Sequence, residues 1–327
     1  MRRRYFIALL ASSAAGWPLV AHTQQPQTPA RVGLLPMGSP SNPHDLSYVE
    51  ALRNGLIDNG LVEGRNVTLD ILWVANESHY DQAVIELVRR GAKVLVAAGS
   101  NASAAAKRQT LSIPIVFVVV GDPVSIGLVE SLSHPGGNAT GFTDMFAELS
   151  SKFVELAREL STPGVPIGHV WYDKWSDGYN RLVVTEQTAK ASGVELRSRA
   201  ISDISELDGA IAELKSKGMT IIIVQPSPYV YRHRNRIIQL LRNNGLAMLC
   251  ANPTAVEGAV VGYGPDYVDI YRRAGSYVSR ILKGEKPADL PVQNPTKFRL
   301  IINLNAAKTI GLQIPTTLLA TADEVIE

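Results

Sequence analysis

One segment, residues 111–141, narrows the possible folds more than any other part of this chain. Residues 115–120, IVFVVV, form an unbroken apolar run that is too short for an ordinary helix and is typical of a strand buried on both faces. Asp122-Pro123 then resembles a helix N-cap with proline at the first helical position, which predicts a helix over residues 124–132. Such a unit belongs to a parallel α/β sheet, whose ligands lie at the carboxyl ends of the strands. The segment holds no nucleophile motif or metal-ligand cluster, so it favours binding over catalysis.

Strand and helix patterns alternate along the chain in two similar halves. At 327 residues, the chain is longer than one hydrophobic core usually serves. The alternation predicts an α/β protein of two doubly wound parallel-sheet lobes with a ligand cleft between them. The strand candidates are residues 32–35, 67–74, 94–98, 115–119 and 139–142 in the first half, and 167–172, 194–201, 220–224, 246–250 and 259–263 in the second.

The order of these elements predicts how the chain divides between the lobes. We expect residues 31–143 together with 265–291 to form the first lobe, and residues 144–264 to form the second. Residues 292–327 hold one further strand and a short helix. Because these two elements cannot bury a core alone, they should pack on the lobes, and the pattern leaves open which lobe receives them.

The first 23 residues have the pattern of a signal peptide. Three arginines precede an apolar stretch at residues 5–15, and a cleavage zone follows near residues 21–23. The apolar stretch is shorter than the roughly 20 residues that span a bilayer. Arg3-Arg4 also fits a twin-arginine signal, and general secretion is an equal alternative. We therefore expect an exported, soluble periplasmic protein, and the cleavage zone has no cysteine for a lipid anchor.

Charge and composition exclude several classes of protein. The formal net charge is +2, and without the three arginines of the signal the net charge of the mature part is close to −1. This charge lacks the positive excess that is typical of nucleic-acid-binding proteins. Cys250, the one cysteine, follows an apolar run and is expected in a core. The six histidines lack metal-site spacing, and no P-loop, G-x-G-x-x-G or G-x-S-x-G motif occurs. We expect no metal, no cofactor and no catalytic residue.

Several short motifs occur in order along the chain. They are GLVEGRNV at 60–67, IPIVF at 113–117, GDPV at 121–124, HPGGNATG at 134–141, ILKG at 281–284 and KPADLP at 286–291. On these motifs the chain resembles the exported substrate-binding proteins of ABC transporters, in the branch that includes tryptophan- and tyrosine-type binders. That resemblance implies the type I periplasmic binding protein fold and a monomeric receptor that closes about a hinge and hands a small solute to an ABC permease in the inner membrane.

Candidate ligand residues on the first lobe follow its predicted strands. The hydroxyl of Ser100 and the N–H groups of the helix after it suit a carboxylate, although Ser100 or Asn101 can simply cap that helix. Asp122 suits a ligand ammonium or hydroxyl group, and its alternative role is the helix cap. The full set on this lobe is Gly38, Ser39, Gly99, Ser100, Asn101, Asp122 and Pro123.

Candidate ligand residues on the second lobe occupy the equivalent edge. Trp175 or Tyr229 can stack on a flat or apolar ligand, and a surface aromatic is the alternative. Glu257 can pair with a ligand amine or remain a solvated loop acid. Tyr263 ends a crossing strand and is expected near both lobes. The set is Asp173, Trp175, Gln225, Tyr229, Asn252, Glu257 and Tyr263.

Other features leave weaker alternatives. The basic run at residues 232–236 is expected on a solvated helix face, and an anion site or a contact with a partner protein is the alternative. The leading function is a solute-binding receptor for a small carboxylate-bearing solute, an amino acid or an aromatic acid. A sensory binding protein that signals to a membrane receptor is the alternative, and an exported α/β enzyme is less favoured because no nucleophile–base arrangement is present.

Overall fold

The computed structural model describes residues 28–175, 178–251 and 253–327, without the side chains of residues 146 and 147. The predicted signal peptide, residues 1–23, lies outside the described residues. Within the described part, no helix is both long and apolar enough to cross a membrane.

The first lobe is built on a five-stranded parallel sheet with the strand order β2-β1-β3-β4-β5. Helices α1 and α9 cover one face of the sheet and helices α2 and α3 cover the other. The elements of this lobe are β1 Ala30–Leu35, α1 Pro43–Asp58, β2 Val67–Ile71, α2 Tyr80–Arg89, β3 Val94–Ala98, α3 Ser100–Gln109, β4 Ile115–Val120, β5 Ala139–Thr143 and α9 Tyr267–Leu282. Strand β4 is buried along its whole length, as its apolar run predicts.

The second lobe is built on a seven-stranded sheet with the order β12-β11-β10-β9-β8-β6-β7. Only β10 and β11 run antiparallel within it, among the pairs that the described residues form. Its elements are α4 Phe146–Leu160, β6 Ile167–Tyr172, α5 Gly178–Ala191, β7 Leu196–Ile201, α6 Leu207–Ser216, β8 Ile221–Val224, α7 Pro228–Asn243, β9 Ala247–Cys250, α8 Pro253–Val256, β10 Val261–Pro265, β11 Phe298–Asn303, α10 Leu304–Thr309, α11 Thr316–Thr321 and β12 Glu324–Ile326. The prediction of two α/β lobes with parallel sheets is confirmed.

The chain passes between the lobes after β5, after β10 and before β11. The last of these passages lies beside the first, because the N–H of Thr143 donates to the carbonyl of Gln293 and the N–H of Gln293 donates to Gly141, each at 2.9 Å. The passage after β10 leads into α9, where Asp266 caps the helix by accepting from the N–H of Asp269 at 3.1 Å. The hinge is therefore a set of adjacent chain segments held by backbone hydrogen bonds.

Helices α1 and α9 approach each other so closely that only glycine fits at their contact. A Cβ atom added to Gly55 would lie 1.9 Å from the carbonyl oxygen of Arg272, and one added to Gly275 would lie 2.3 Å from the backbone of Gly55. Both positions are on helices, so the requirement comes from the neighbouring backbone and not from the glycine conformation. This contact attaches α9, which follows the second lobe in sequence, to the first lobe.

The predicted helix over residues 124–132 does not form, and a series of turns takes its place. The Asp122 carboxylate accepts from the N–H groups of Val124 and Ser125 at 3.1 and 3.0 Å, as in a cap. Gly127 then adopts a positive φ of 70°, a left-handed conformation that ends the turn after one cycle. The cap was read correctly from the sequence, but Gly127 prevents the helix from extending.

Candidate functional site

A cavity lies between the two lobes at the carboxyl ends of their strands, where an open α/β sheet usually places a ligand. It encloses about 420 Å³ of space between atoms, part of which is open to solvent. Apolar and aromatic side chains dominate its wall, which suits a ligand with an apolar body. The residues around it are Met37 and Val119 of the first lobe, Asp144 and Tyr267 where the chain passes between lobes, and Trp175, Pro226, Ser227, Pro228, Val230, Tyr231, Cys250, Ala251 and Thr254 of the second lobe.

Val119 is held in a strained conformation at this wall. Its φ is 56°, in the left-handed region that a β-branched residue rarely adopts. The strain coincides with a shift in the pairing register of β4 with β5 between Phe117 and Val120. Such strain costs about 1–3 kcal/mol and persists only where the surrounding structure fixes it. The end of β4 is therefore shaped by its packing at the cleft.

A buried ion pair lies at the back of the cavity. Arg181 of α5 donates from Nη2 to both carboxylate oxygens of Asp144 at 2.9 Å, and the two residues are 1% and 4% exposed. The guanidinium also lies over the ring of Trp175, 4.5 Å from its centroid. Asp144 follows β5 and Trp175 follows β6, so the pair joins the chain passage to the edge of the second lobe. It places a matched positive and negative charge beside the cavity.

The N-terminus of α3 faces the same region. Its N-cap is Gly99, which has no side chain to cap the helix. A Cβ on Gly99 would lie 3.0 Å from Pro228 and 3.8 Å from the sulfur of Met37, and both of these residues line the cavity. Ser100 is fully buried, and its Oγ has no hydrogen-bond partner among the residues the structure describes. The first N–H groups of a helix lack partners within the helix, so this end of α3 suits an anion.

A second polar network connects the lobes above the cavity. Arg234 of α7 donates from Nη2 to both oxygens of Asp45 on α1, at 3.1 and 3.2 Å. Its Nε donates to Glu257 at 2.5 Å, and Tyr231 Oη donates to Asp45 at 2.6 Å. Burial opposes the charge on Arg234, but its hydrogen bond to the Glu257 carboxylate and the charge of Asp45 raise its pKa above the usual range. The guanidinium therefore stays charged between two carboxylates.

A third contact between the lobes lies beside the second. Arg232 of α7 donates to the carbonyl of Val74 at 3.2 Å and approaches the hydroxyl of Tyr80 at 3.5 Å, both on the first lobe. Glu77 accepts from the amide of Asn101 at 2.8 Å. Burial raises the pKa of Glu77, and the charge of Arg232 partly offsets that rise. Tyr231, Arg232 and Arg234, which lie within about one turn of α7, thus hold that helix against the first lobe.

The predicted residues of the first lobe lie in four separate places. Gly99 lies next to Met37 and Pro228 of the cavity wall and the buried Ser100 follows it, but neither of the two is itself a lining residue of the cavity. Gly38 and Ser39 pack against Asp45, whose carboxylate accepts from the N–H of Ser39 at 2.8 Å. Asp122 and Pro123 line a separate recess beside Thr143, Met145 and Asn294. Asn101 is bonded to Glu77.

The predicted residues of the second lobe are also divided. Trp175 lines the cavity, whereas Asp173 is exposed and accepts from Ser202 Oγ at 2.7 Å. Gln225 is buried and donates to the carbonyl of Gly178 at 3.1 Å. Tyr229 stacks on Tyr172 with ring centroids 3.9 Å apart. Asn252 lies outside the described residues. Glu257 pairs with Arg234, and Tyr263 packs against Phe153 and Phe298 of the second lobe.

Sequence reasoning missed several residues around the cavity. The basic run was expected on a solvated face, but that expectation is wrong for Arg234, which is 3% exposed and reaches the other lobe. Arg181 carried no local signal, because its partner Asp144 is 37 residues away. Asp144 and Tyr267 each follow a strand from which the chain passes between lobes, and that position was an available signal. Cys250 is buried as expected and also lines the cavity, and burial raises the pKa of its thiol to about 12.

Comparisons with known proteins agree with this architecture. A family model described as ABC transporter substrate binding protein matches residues 41–326. A tyrosine-binding protein from Clostridioides difficile is 28% identical over 268 residues, which are 81% of this chain and 76% of that protein. The structure of a conserved domain protein from Vibrio cholerae has a TM-score of 0.84 at 27% identity and covers 91% of this chain and 100% of that one. An ABC domain from Streptococcus pneumoniae in complex with L-Trp has a TM-score of 0.83 at 24% identity, with the same coverage.

Proposed function

The chain belongs to the family of ABC transporter substrate-binding proteins, and on that premise we propose that it captures a small carboxylate-bearing solute between its lobes and delivers it to an ABC permease. Membership of this family, with a tyrosine-binding relative, makes the chain a solute-binding receptor of an ABC transporter. The finer proposal is that it works in the periplasm as a monomer and releases the solute unchanged. The resemblance of residues 1–23 to a signal peptide supports the proposed location.

The N-terminus of α3 is the observation that supports a carboxylate group on the solute. Ser100 is fully buried with an unpartnered Oγ among the described residues, and the N-cap Gly99 provides no side chain of its own. A carboxylate at this position would accept from the Ser100 hydroxyl and from N–H groups at the positive end of the helix dipole. An unpartnered buried hydroxyl is costly, which supports a ligand as its partner.

The wall of the cavity supports an aromatic or large apolar solute body. Trp175, Tyr231 and Tyr267 present ring surface, and Met37 adds an adaptable apolar side chain. The relative from Clostridioides difficile is named a tyrosine-binding protein. Asp144, the one acidic residue among the described residues of the wall, already accepts from Arg181. An ammonium group on the solute would therefore share that carboxylate, whereas an aromatic acid without an amine would leave the ion pair as it is.

A thermal-shift screen of the unfolded and refolded protein tests this proposal. The compounds are amino acids, aromatic acids without an amine, purines and short sugars. A solute at 100 times its Kd adds about 2.7 kcal/mol to the stability of the folded protein, which raises the melting midpoint by several degrees. We expect carboxylate-bearing compounds alone to produce this rise. A rise with sugars or purines only would contradict the proposed solute class.

The Ser100→Ala variant tests the role of the helix terminus. Hydrogen bonds to charged groups contribute about 1.5–3 kcal/mol, so we expect the calorimetric Kd for the identified solute to rise by roughly 10- to 100-fold. Ser112→Ala is the matched control, because Ser112 is exposed on the same lobe at the opposite end of β4. If both variants bind as tightly as the natural protein, the carboxylate does not lie at Ser100.

A further inference from the structure

We propose that Asp45 and Arg234 are positioning residues for solute binding, because their ion pair holds the two lobes together and fixes the ring of Tyr231 at the cavity wall without contacting the solute. This inference deepens the proposed function and rests on it for its effect on affinity. We call the group Asp45, Tyr231, Arg234 and Glu257 the interlobe latch.

The latch places one guanidinium between carboxylates of different lobes. Asp45 lies on α1 of the first lobe, and Arg234 and Glu257 lie on the second. The side chains of Asp45, Arg234 and Glu257 are 0%, 4% and 14% exposed. Asn42 of the first lobe adds a donor to Glu257 at 2.9 Å. Charges this deeply buried interact far more strongly than pairs on the surface, and their geometry determines whether the pairing is favourable.

Tyr231 transmits the state of the latch to the cavity. Its hydroxyl donates to Asp45 at 2.6 Å, and its ring lies 4.1 Å below the guanidinium of Arg234. Arg234 also donates from Nη1 to the carbonyl of Tyr231 at 2.7 Å. Tyr231 also lines the cavity. A change in the ion pair therefore alters the position of a residue that is in reach of the solute.

The latch can open and still leave each of its charged groups a hydrogen-bond partner on its own lobe. When the lobes separate, Arg234 keeps Glu257 because both lie on the second lobe. Asp45 keeps the N–H of Ser39, which donates to it at 2.8 Å on the first lobe. The contact that is lost is the one between lobes. Removing the latch should thus change the balance between open and closed lobes more than the folding of either lobe.

That balance determines how tightly a solute binds. The apparent affinity of a two-state receptor falls in proportion to the fraction of molecules in the binding-competent state. A latch that favours closed lobes raises that fraction before the solute arrives and slows solute release afterwards. Its loss should therefore appear mainly in the dissociation rate, as most affinity changes within one binding site do.

The first test measures the distance between the lobes without any solute. Spin labels on Leu111→Cys in the first lobe and Ser216→Cys in the second occupy exposed positions, and Cys250, the natural cysteine, is buried. Arg234→Gln should shift the distance distribution from short to long separations and lower the ratio of closed to open molecules by at least about 10-fold. Arg236→Gln is the matched control, because Arg236 lies on the same helix and pairs with Asp208 on the surface. An unchanged distribution in Arg234→Gln would overturn the proposal.

Two further variants keep the test decisive if Arg234→Gln folds poorly. Tyr231→Phe removes only the hydroxyl that donates to Asp45, and Arg234→Lys keeps the charge but loses the fork that reaches both carboxylates. We expect both to give distributions between those of the natural protein and an open one. Distributions identical to the natural protein in both variants would again refute the latch.

The second test uses the solute identified by the screen. Arg234→Gln should raise the dissociation rate at least about 10-fold while the association rate changes by less than about 3-fold, and Arg234→Lys should recover part of the loss. If Arg234→Gln and Arg234→Lys raise the dissociation rate equally and neither changes the distance between the lobes, the role of Arg234 is purely structural and the proposal is overturned. If no solute binds the natural protein, the proposed function fails, but the distance measurement still decides whether the latch exists.

Discussion

Replacing Arg181 with methionine tests whether the ion pair behind the cavity supports the fold at the hinge. The guanidinium donates twice to Asp144 at 2.9 Å, and both residues are almost fully buried. Arg181→Met keeps the apolar stem but leaves the Asp144 carboxylate buried without its counter-charge. Removing one partner of a buried pair costs about 3–5 kcal/mol. The loss of the guanidinium from the Trp175 ring adds about 0.5–2 kcal/mol.

Thermal unfolding measures this loss. The two losses together are about 3.5–7 kcal/mol, and for domains of this size 1 kcal/mol corresponds to about 2–4 °C of melting temperature, so Arg181→Met should lower the midpoint by about 7–28 °C. Arg236→Met is the matched control, because its pair with Asp208 is more than half exposed and such pairs contribute about 0–1 kcal/mol. The double variant Asp144→Leu with Arg181→Met should recover most of the loss, since no buried charge remains. If Arg181→Met lowered the melting midpoint as little as the control does, the reasoning would be refuted.

Two other predictions concern stability. Gly55→Ala should lower the free energy of unfolding, measured by urea titration, by about 3 kcal/mol, because its Cβ would lie 1.9 Å from the carbonyl oxygen of Arg272 and backbone cannot move aside as a side chain can. Gly209→Ala is the control, because a Cβ at this position of α6 has nothing within 4 Å. It should raise the free energy of unfolding by about 0.5 kcal/mol. Burial lowers the pKa of His169 from 6.5 to about 4, so the folded state keeps the ring neutral where the unfolded chain would protonate it. The full contribution of this residue to stability is therefore present above pH 6.5. About 3 kcal/mol of it is lost as the pH falls to 4. His169→Gln should show a smaller loss between pH 7.5 and pH 4.5, and an equal loss would mean that other groups cause the acid sensitivity.

The sequence predicted the elements of the fold well because short buried strands have a strong local signal. The apolar run at residues 115–120 matches β4 at both ends. The helix expected over residues 124–132 is wrong, because Gly127 takes a left-handed conformation that the N-cap pattern did not anticipate. The antiparallel pairing of β10 with β11 joins a strand of the second lobe to the C-terminal segment, and periodicity alone does not specify strand direction.

The site was harder to predict because its polar groups are paired over long distances along the chain. Trp175, which was chosen from its position after a strand, lines the cavity, and its role in binding a solute stays a prediction. Arg234 was not, since its contact with Asp45 joins residues 189 positions apart on different lobes. Periodicity placed Arg234 within a basic run and gave no information on the docking of the lobes. Residues that hold two lobes together depend on that docking, which no local pattern specifies.

The most direct test of this account is a crystal structure of the refolded protein with the solute that the screen identifies. We predict the solute between the lobes, its carboxylate oxygens about 2.7–3.2 Å from Ser100 Oγ and from N–H groups at the start of α3, and its apolar body against Met37 and Trp175. Electron density for the solute in the recess beside Asp122, or with its carboxylate turned away from Ser100, would contradict the account.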